Sequence, residues 1–533
     1  MRKIVFAFAC IIAIVGIAQE EAPESWITLD PESDQTQGVS ADKVHEMMKG
    51  KKSRTVIVAV IDSGVDIEHE DLQGKIWTNK DEIPGNGIDD DKNGYVDDVN
   101  GWNFIGGKDG KNVDADTYEL TREYARLKPL YAGVEKVSKK KREEFAYWKD
   151  VNEKFTNRST KATQQYDYYK TMRDNTIRFN SLLKAYVDTD KLTLGDVEMI
   201  VSEDKTINEA KESMTFILSR MGDADFSVVV EQLDGAVEYF EVQALYGYNT
   251  EFDSREIVGD DWSDATEIGY GNNNVEGPDA SHGTHVSGII AAVRDNDLGM
   301  RGIAENVIIM PVRAVPNGDE RDKDVANAIR YAVDNGAHVI NMSFGKSYVY
   351  RKNVVDEAIR YAAKNNVLMV HAAGNSGENL DEASNFPTPM LTETERATSW
   401  IEVGASSWGA DENMVGTFSN FGKTSVDLFA PGVKVYSTTP DNNYDSFNGT
   451  SMASPATAGV AAVVMSYFPD LTAEQVRQVL AQSSRKFGDL EVIKPGTEDK
   501  VMFSELSITG GMVNAAEAVK LAEQMSKELS AAR

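Results

Sequence analysis

The sequence predicts an α/β protein: a three-layer, doubly wound and mostly parallel sheet that carries an inserted α-helical subdomain. Three observations predict it. The run Thr55-Val56-Ile57-Val58-Ala59-Val60-Ile61 is β-branched and shows no polar alternation, as expected of a strand buried on both faces. From Val307 onward, short apolar runs alternate with helical periods of the length that parallel βαβ crossovers need. Between these regions, from about Val113 to Gly247, the chain is charged, poor in glycine and rich in aromatics at helical spacing.

Residues 19–52 read as a polar N-terminal extension punctuated by Pro23, Pro31 and Gly38. Within it, Ser40–Met48 has a helical pattern, with Ser40 as its cap and Val44, Met47 and Met48 on one side. Residues 53–112 and 248–533 then make one discontinuous α/β domain around the helical insertion 113–247. The first strand of that domain ends at Asp62-Ser63-Gly64. An acid at the C-terminal end of a buried parallel strand stands where open α/β sheets place their sites.

Next comes Asp89-Asp90-Asp91-Lys92-Asn93-Gly94-Tyr95-Val96-Asp97-Asp98. Side-chain oxygens at Asp89, Asp91, Asn93 and Asp97 around the turn-permitting Gly94 fit the opening positions of an EF-hand-like calcium loop. Asn100 stands where that loop expects a bidentate glutamate, and no helix pattern flanks it. Two readings follow, a calcium-binding surface loop and an acidic solvated turn.

In the insertion, Val134, Val137, Phe145, Trp148, Val151 and Phe155 fall largely at three- and four-residue steps. Tyr169, Met172, Thr176, Phe179, Leu183 and Tyr186 form a second seam. Thr193-x-x-Asp196 opens a short helix, and Asn208–Met221 and Phe226–Ala244 make two more. These stripes read as the core of a small bundle in preference to a ligand-binding surface. Beyond it, Val307–Val312, His338–Met342 and Val367–Ala373 read as strands, and Asp324–Asn335, Val354–Asn365 and Ser454–Tyr467 as helices. Asn514–Met525 is expected to be a final surface helix.

Composition bounds the function. With 533 residues, 41% hydrophobic and 26% charged, the chain is an ordinary globular protein large enough for several domains. Its formal charge of −31 argues against nucleic acid or an anionic membrane surface as a partner held by bulk electrostatics. The N-terminus reads as a secretory signal, residues 1–18. Arg2 and Lys3 precede the apolar run Ile4 to Ile17, and Gly16-Ile17-Ala18 offers a cleavage site after Ala18. That implies a secreted or periplasmic protein with no stable membrane anchor, since the run is short for a bilayer. Cys10, the sole cysteine, lies inside the run, so the mature chain has no disulfide, thiolate metal site or cysteine nucleophile.

The residues that carry chemistry are Asp62, His282 in Ser281-His282-Gly283-Thr284-His285, and Ser451 in Gly449-Thr450-Ser451-Met452-Ala453-Ser454-Pro455. A serine hydroxyl is a poor nucleophile until a base takes its proton. His282 can be that base and return the proton to the leaving amine, while Asp62 fixes the tautomer and stabilises the imidazolium. Asn375, in Ala372-Ala373-Gly374-Asn375, can hold the developing oxyanion together with the Ser451 N–H.

These motifs, with Val60-Ile61-Asp62-Ser63-Gly64-Val65-Asp66 and Asn341-Met342-Ser343-Phe344-Gly345, resemble those of the subtilisin-like serine peptidases, the subtilase (S8) family. The resemblance spans about Arg54 to Ala516 and leaves the helical insertion outside it. It implies a subtilisin-like sheet and a secreted serine endopeptidase acting on protein or peptide substrates through an acyl-enzyme. In that family's terms Asp62 is the orienting acid, His282 the base, Ser451 the nucleophile and Asn375 the oxyanion donor; His285 is a structural residue. Ser343, Phe344 and Gly345 match the strand edge that pairs with an extended substrate. The resemblance also implies a structural Ca²⁺ site at Asp71 and Asn296, completed by the carbonyls of Arg294, Leu298 and Met300.

The chain departs from compact members in three ways. The acidic loop and the helical insertion put 220 residues between Asp62 and His282. The 34 residues 19–52 leave no room for an inhibitory propeptide. His371 stands where small or apolar residues are usual, and reads as a packed histidine. An α/β-hydrolase esterase is disfavoured, because that fold wants Gly-x-Ser-x-Gly with the serine first among its triad residues. The remaining alternative is a catalytically silent scaffold that binds partners through the insertion.

Overall fold

The computed structural model describes residues 22–221 and 226–532. The expected signal segment 1–18 lies outside the described residues. Among those residues no helix is long and apolar enough to cross a membrane. The chain divides into two compact units, one formed by Ala22–Glu119 together with the chain from Asp253 onward, the other by Leu120–Phe252.

The first unit is built on one sheet. Its strands are β1 (Val56–Asp62), β2 (Trp102–Asn103), β3 (Val307–Arg313), β4 (Val339–Met342), β5 (Leu368–Ala372), β6 (Trp400–Ser406) and β7 (Leu428–Pro431). In space they run β7-β6-β5-β4-β1-β3-β2, all parallel, and the two-residue strands Gly511–Met512 and Arg485–Lys486 extend the β7 edge. The unbroken hydrophobicity of β1 has a direct cause. Val56, Val58 and Val60 face one apolar cluster, which contains Val286, Ile289 and Ile290 of the helix Ser281–Ala291 and much of the helix Thr450–Tyr467. Ala59 and Ile61 face the opposite cluster, with Ala326, Ile329 and Tyr331 of the helix Asp322–Asp334. Helices on both faces leave no polar position inside the strand.

The N-terminal extension is part of this core. Trp26, Ile27, Val39, Val44 and Met48 join the first cluster, and the Trp26 indole donates to the Lys434 carbonyl at 3.1 Å. The helix is Ala41–Met48, and Ser40 does not cap it: its φ is +63° and its hydroxyl accepts from Arg485 instead. The final helix, Ala515–Ala532, buries Ala516, Val519 and Ala522.

The segment Val113–Glu119 also belongs to the α/β unit, although its composition reads as insertion. Val113 is buried in the second cluster, Asp116 holds Arg321 through two bonds of 2.8 and 2.9 Å, and Glu119 meets the buried Lys346 at 2.8 Å. On the far side of the insertion, Arg255 is set between Asp260 and Asp324, and Lys323 between Asp260 and Glu267. The stretches of the α/β unit on either side of the insertion are thus fixed by buried ion pairs, which hold a position chiefly through the penalty for losing one partner.

The second unit is helical: Arg142–Val187 is a single helix of 46 residues, accompanied by Leu194–Met199, Lys205–Met221 and Phe226–Glu241. The two predicted seams lie mainly on this one helix. Phe145 and Trp148 meet Leu127 and Tyr131, whereas Phe179 and Leu183 meet Ile207, Ala210, Met214 and Ile217. Thr193 and Asp196 form a complete capping box. Within the unit, Thr121 near its start donates to the carbonyl of Gly247 near its end, at 2.6 Å.

Candidate active site

Asp62 is the last residue of β1, and His282 lies in the first turn of the helix Ser281–Ala291. Their contact is direct: His282 Nδ1 donates to Asp62 Oδ1 at 2.7 Å. The Ser63 N–H shares the same oxygen at 2.8 Å, and Asp62 Oδ2 is buried without a partner among the described residues. Burial pulls the His282 pKa down, but the carboxylates of Asp62 and Asp279 outweigh it and the net shift is upward. Gly283 is required here, because a Cβ would lie 2.1 Å from the Gly64 carbonyl.

Ser451 is the second residue of the helix Thr450–Tyr467, where backbone N–H groups lack intrahelical acceptors. Its hydroxyl donates to the Ser343 carbonyl at 3.1 Å, and the Ser343 hydroxyl donates back to the Ser451 carbonyl at 2.8 Å. The second bond has a sequence cause. Pro455, four residues on, has no N–H to offer the Ser451 carbonyl, so the helix leaves that acceptor for Ser343. Ser343 is held in turn by Asn341, whose amide donates to its hydroxyl at 3.0 Å while accepting from Ser454 at 2.8 Å.

The Asn375 amide is oriented by Thr450, whose N–H and hydroxyl both donate to Oδ1, at 2.9 and 3.0 Å. Nδ2 therefore faces away from Thr450. A Cβ built on Gly449 would lie 3.4 Å from that Nδ2 and 3.5 Å from the Ser451 nitrogen. The missing side chain leaves a space bordered by two N–H donors at a helix N-terminus, which is what a developing oxyanion needs.

The other histidines are engaged elsewhere. His285 is fully buried, donates through Nε2 to the carbonyls of Val435 and Asp445, and stacks on Phe447 at 4.2 Å. Burial, and then the neighbouring His282, push its pKa down to about 3. His371, also buried, bonds Glu402 at 2.9 Å, and Glu402 accepts from the Trp400 indole at 2.8 Å. That pairing was not readable from the isolated histidine, since Glu402 lies a strand away on β6.

Two groups of residues could hold a cation. Oxygens of Glu82, Asp91 and Asp98 all lie within 4.8 Å of one another. Asn79 and Asn93 border them, each donating to both Asp91 and Asp98. Burial raises the Asp98 pKa to about 6. This hard-oxygen set fits a divalent cation. Of the four expected loop ligands, Asp91 belongs to this set and Asn93 borders it. Asp89 turns to the N–H groups of Asn93 and Gly94, and Asp97 to those of Asn86 and Gly87. Glu82 was missed because its two oxygens hold the backbone of Asp90, Asp91 and Asp97, a contact with no sequence spacing to announce it.

At the second group Asp71 and Asn296 do meet, at 2.7 Å, with the Asn296 amide donating. Met300 offers Asp71 its N–H at 3.3 Å, Asn296 Oδ1 accepts from Leu298, and the Arg294 side chain reaches Gly302 and Asp42. Tyr444 adds a hydroxyl to Asp71 at 3.4 Å. A cation on Asp71 would require the Asn296 amide to turn over and present its oxygen, so this group fits a metal less well than the first.

The chain is similar to several known proteins. Subtilisin DY of Bacillus licheniformis is 39% identical over 212 residues, which are 39% of this chain and 72% of that protein. Alkaline elastase YaB of Bacillus sp. (strain YaB) is 38% identical over 209 residues, 39% of this chain and 51% of the relative. A protease structure from Pseudoalteromonas arctica aligns with a TM-score of 0.39 at 27% identity, covering 49% of this chain and 81% of that one. The profile of the Subtilase family, peptidase S8, matches residues 53–503. A match over that much of the sequence shows that the chain belongs to the subtilase family of serine peptidases.

Proposed function

We propose that the protein is a secreted serine endopeptidase in which Ser451 attacks the peptide carbonyl, His282 moves the proton and Asp62 orients His282. The observation that carries the reading is the 2.7 Å Asp62–His282 bond, together with the space at Gly449 bordered by Asn375 Nδ2 and the Ser451 nitrogen. An extended substrate pairs with the edge Ser343–Gly345, where Gly345 lies open. His282 takes the Ser451 proton as the acyl bond forms and delivers it to the departing amine. A water, deprotonated by the same nitrogen, then releases the acyl group.

Glu82, Asp91 and Asp98 would hold a calcium ion, whose charge would tie the acidic loop together in a chain without disulfides.

Ser451→Ala tests the central claim. Purified wild type should label with a fluorophosphonate probe and hydrolyse casein, and the variant should do neither. Hydrolysis that survives in the variant would overturn the assignment.

A further inference from the structure

We propose that residues 134–140 are a cleavage site for a second copy of this peptidase, and that the cut gives a two-chain form whose pieces stay together. The proposal rests on the peptidase reading above and adds to it a substrate within the chain itself. Residues 132–141 join the helix Glu119–Tyr131 to the helix Arg142–Val187. All of them are exposed except Val137, which is half-buried against the cluster of Leu127, Tyr131, Phe145 and Trp148.

Among the described residues no side-chain hydrogen bond holds this stretch. Its backbone bonds are local: Ala132 to Lys128, Val134 to Tyr131, and Lys141 to the Ser138 carbonyl. The N–H groups of Glu135, Lys136, Val137 and Ser138 find no acceptor in the fold, and Ser138 is extended, with φ −64° and ψ +161°. A peptidase that pairs its substrate as an added strand needs such free, extended backbone, and exposed loop tips are where nicking concentrates. Other exposed connections are pinned. Glu82, Asp89 and Asp97 hold the backbone of the acidic loop, Lys323 holds Asp260 and Glu267, and Thr193 with Asp196 closes the turn after the long helix.

Charge points to a second copy as the agent. Lys136, Lys139, Lys140, Lys141 and Arg142 make the stretch basic in a chain of formal charge −31, so a second copy approaches it with favourable sign. Cations just ahead of a helix N-terminus oppose its dipole, so helix stability does not account for them.

In the cut, water adds across one peptide bond. The upstream piece then ends in a carboxylate and the downstream piece begins with an ammonium, with no other reactant. Asp62 goes to the upstream piece, and His282, Asn375 and Ser451 to the downstream one. The pieces cannot part without breaking the sheet, because β1 pairs with β3 from Val56 to Asp62 and with β4 from Val58 to Ile61. Beside the cut, the Tyr131 hydroxyl donates to Glu144, and Tyr124 stacks on Phe155 at 3.9 Å.

The test mixes full-chain Ser451→Ala protein, as substrate, with a catalytic amount of wild type. A denaturing gel should show two fragments as the first products, and N-terminal sequencing should place the new N-terminus between Glu135 and Lys141. The fragments should co-elute on native size exclusion and separate in denaturant without reductant. Adding Lys136→Pro and Val137→Pro to the substrate, which removes two N–H donors, should suppress this cut. Ser451→Ala protein that stays whole beside wild type that digests casein would overturn the proposal and leave the peptidase reading intact. A first cut elsewhere, or fragments that separate under native conditions, would do the same. Wild type that neither labels with a fluorophosphonate nor hydrolyses casein would overturn the peptidase reading, and this proposal with it.

Discussion

Ser343 and Ser451 exchange hydrogen bonds, each hydroxyl donating to the other's backbone carbonyl, at 2.8 and 3.1 Å. The turn at Ser451 is therefore anchored to the edge at Ser343 through a side chain that Pro455 makes necessary. Ser343→Ala removes the anchor and keeps the backbone carbonyl that a substrate would use. The expected outcome is a fall of about tenfold in kcat with KM nearly unchanged, given roughly 1–3 kcal/mol for a buried acceptor left unpaired. Steady-state kinetics on one peptide substrate separates the two parameters. A rise in KM of the same size would place the Ser343 side chain on the substrate instead.

Asp62→Asn should lower kcat by about 10⁴-fold, because an amide at 2.7 Å from His282 Nδ1 favours the wrong tautomer. Asn375→Ala should cost about 10²–10³-fold through loss of one oxyanion donor. Both variants should still bind product peptides, so calorimetric affinity for a product separates lost chemistry from lost folding.

The pH profile should report the Asp62–His282 pair. Since the carboxylates hold the His282 pKa above its ordinary 6.5, the acid limb of kcat/KM should lie above 6.5, with activity lost below it as the base becomes protonated. Asp62→Asn should move that limb down. The stability linkage has the opposite sense: the pair stabilises the fold fully below 6.5, and that contribution fades as pH rises through the raised value.

His285 should make the fold acid-sensitive. Its folded pKa is about 3, so below 6.5 the unfolded chain takes up a proton that the native chain refuses. Stability should fall from pH 6.5 towards 3 by up to about 1.4 kcal/mol per pH unit from this group. Melting temperatures of Ser451→Ala protein, which cannot digest itself, would show the slope, and adding His285→Gln should flatten it.

Calcium should raise the melting temperature of the same Ser451→Ala protein, and a chelator should reverse the gain. Asp98→Asn and Glu82→Gln should abolish the increment, whereas Asp89→Asn should leave most of it, because Asp89 serves only the turn at Asn93 and Gly94. A full increment in Asp98→Asn would rule out this cluster as the binding site.

How far the sequence could be read depended on whether a residue's role is local. Val56 to Ile61 announce a two-sided buried strand because both neighbouring layers are apolar, and the motifs around His282 and Ser451 sit at helix starts that their own small residues define. The acidic loop was legible only in part, for the same local reason. Asp89 and Asp97 occupy calcium-loop spacing, yet each bonds the backbone of a nearby turn, while the cluster is completed by Glu82 from outside the motif. Ser40 has the composition of a cap, but a left-handed backbone aims its hydroxyl at Arg485. The partner of His371 lies on the neighbouring strand, and no spacing rule reaches it.

The bond between Thr121 and Gly247 gives the long separation of Asp62 and His282 a different meaning. Where two ends of an excursion are tied together, the chain between them stops counting as open loop. Even untied, each doubling of a flexible loop adds only about 0.6 kcal/mol to closure. Chain topology therefore puts little brake on growth at this point of the fold. An excursion of another length between these two residues would leave the same 2.7 Å contact in place.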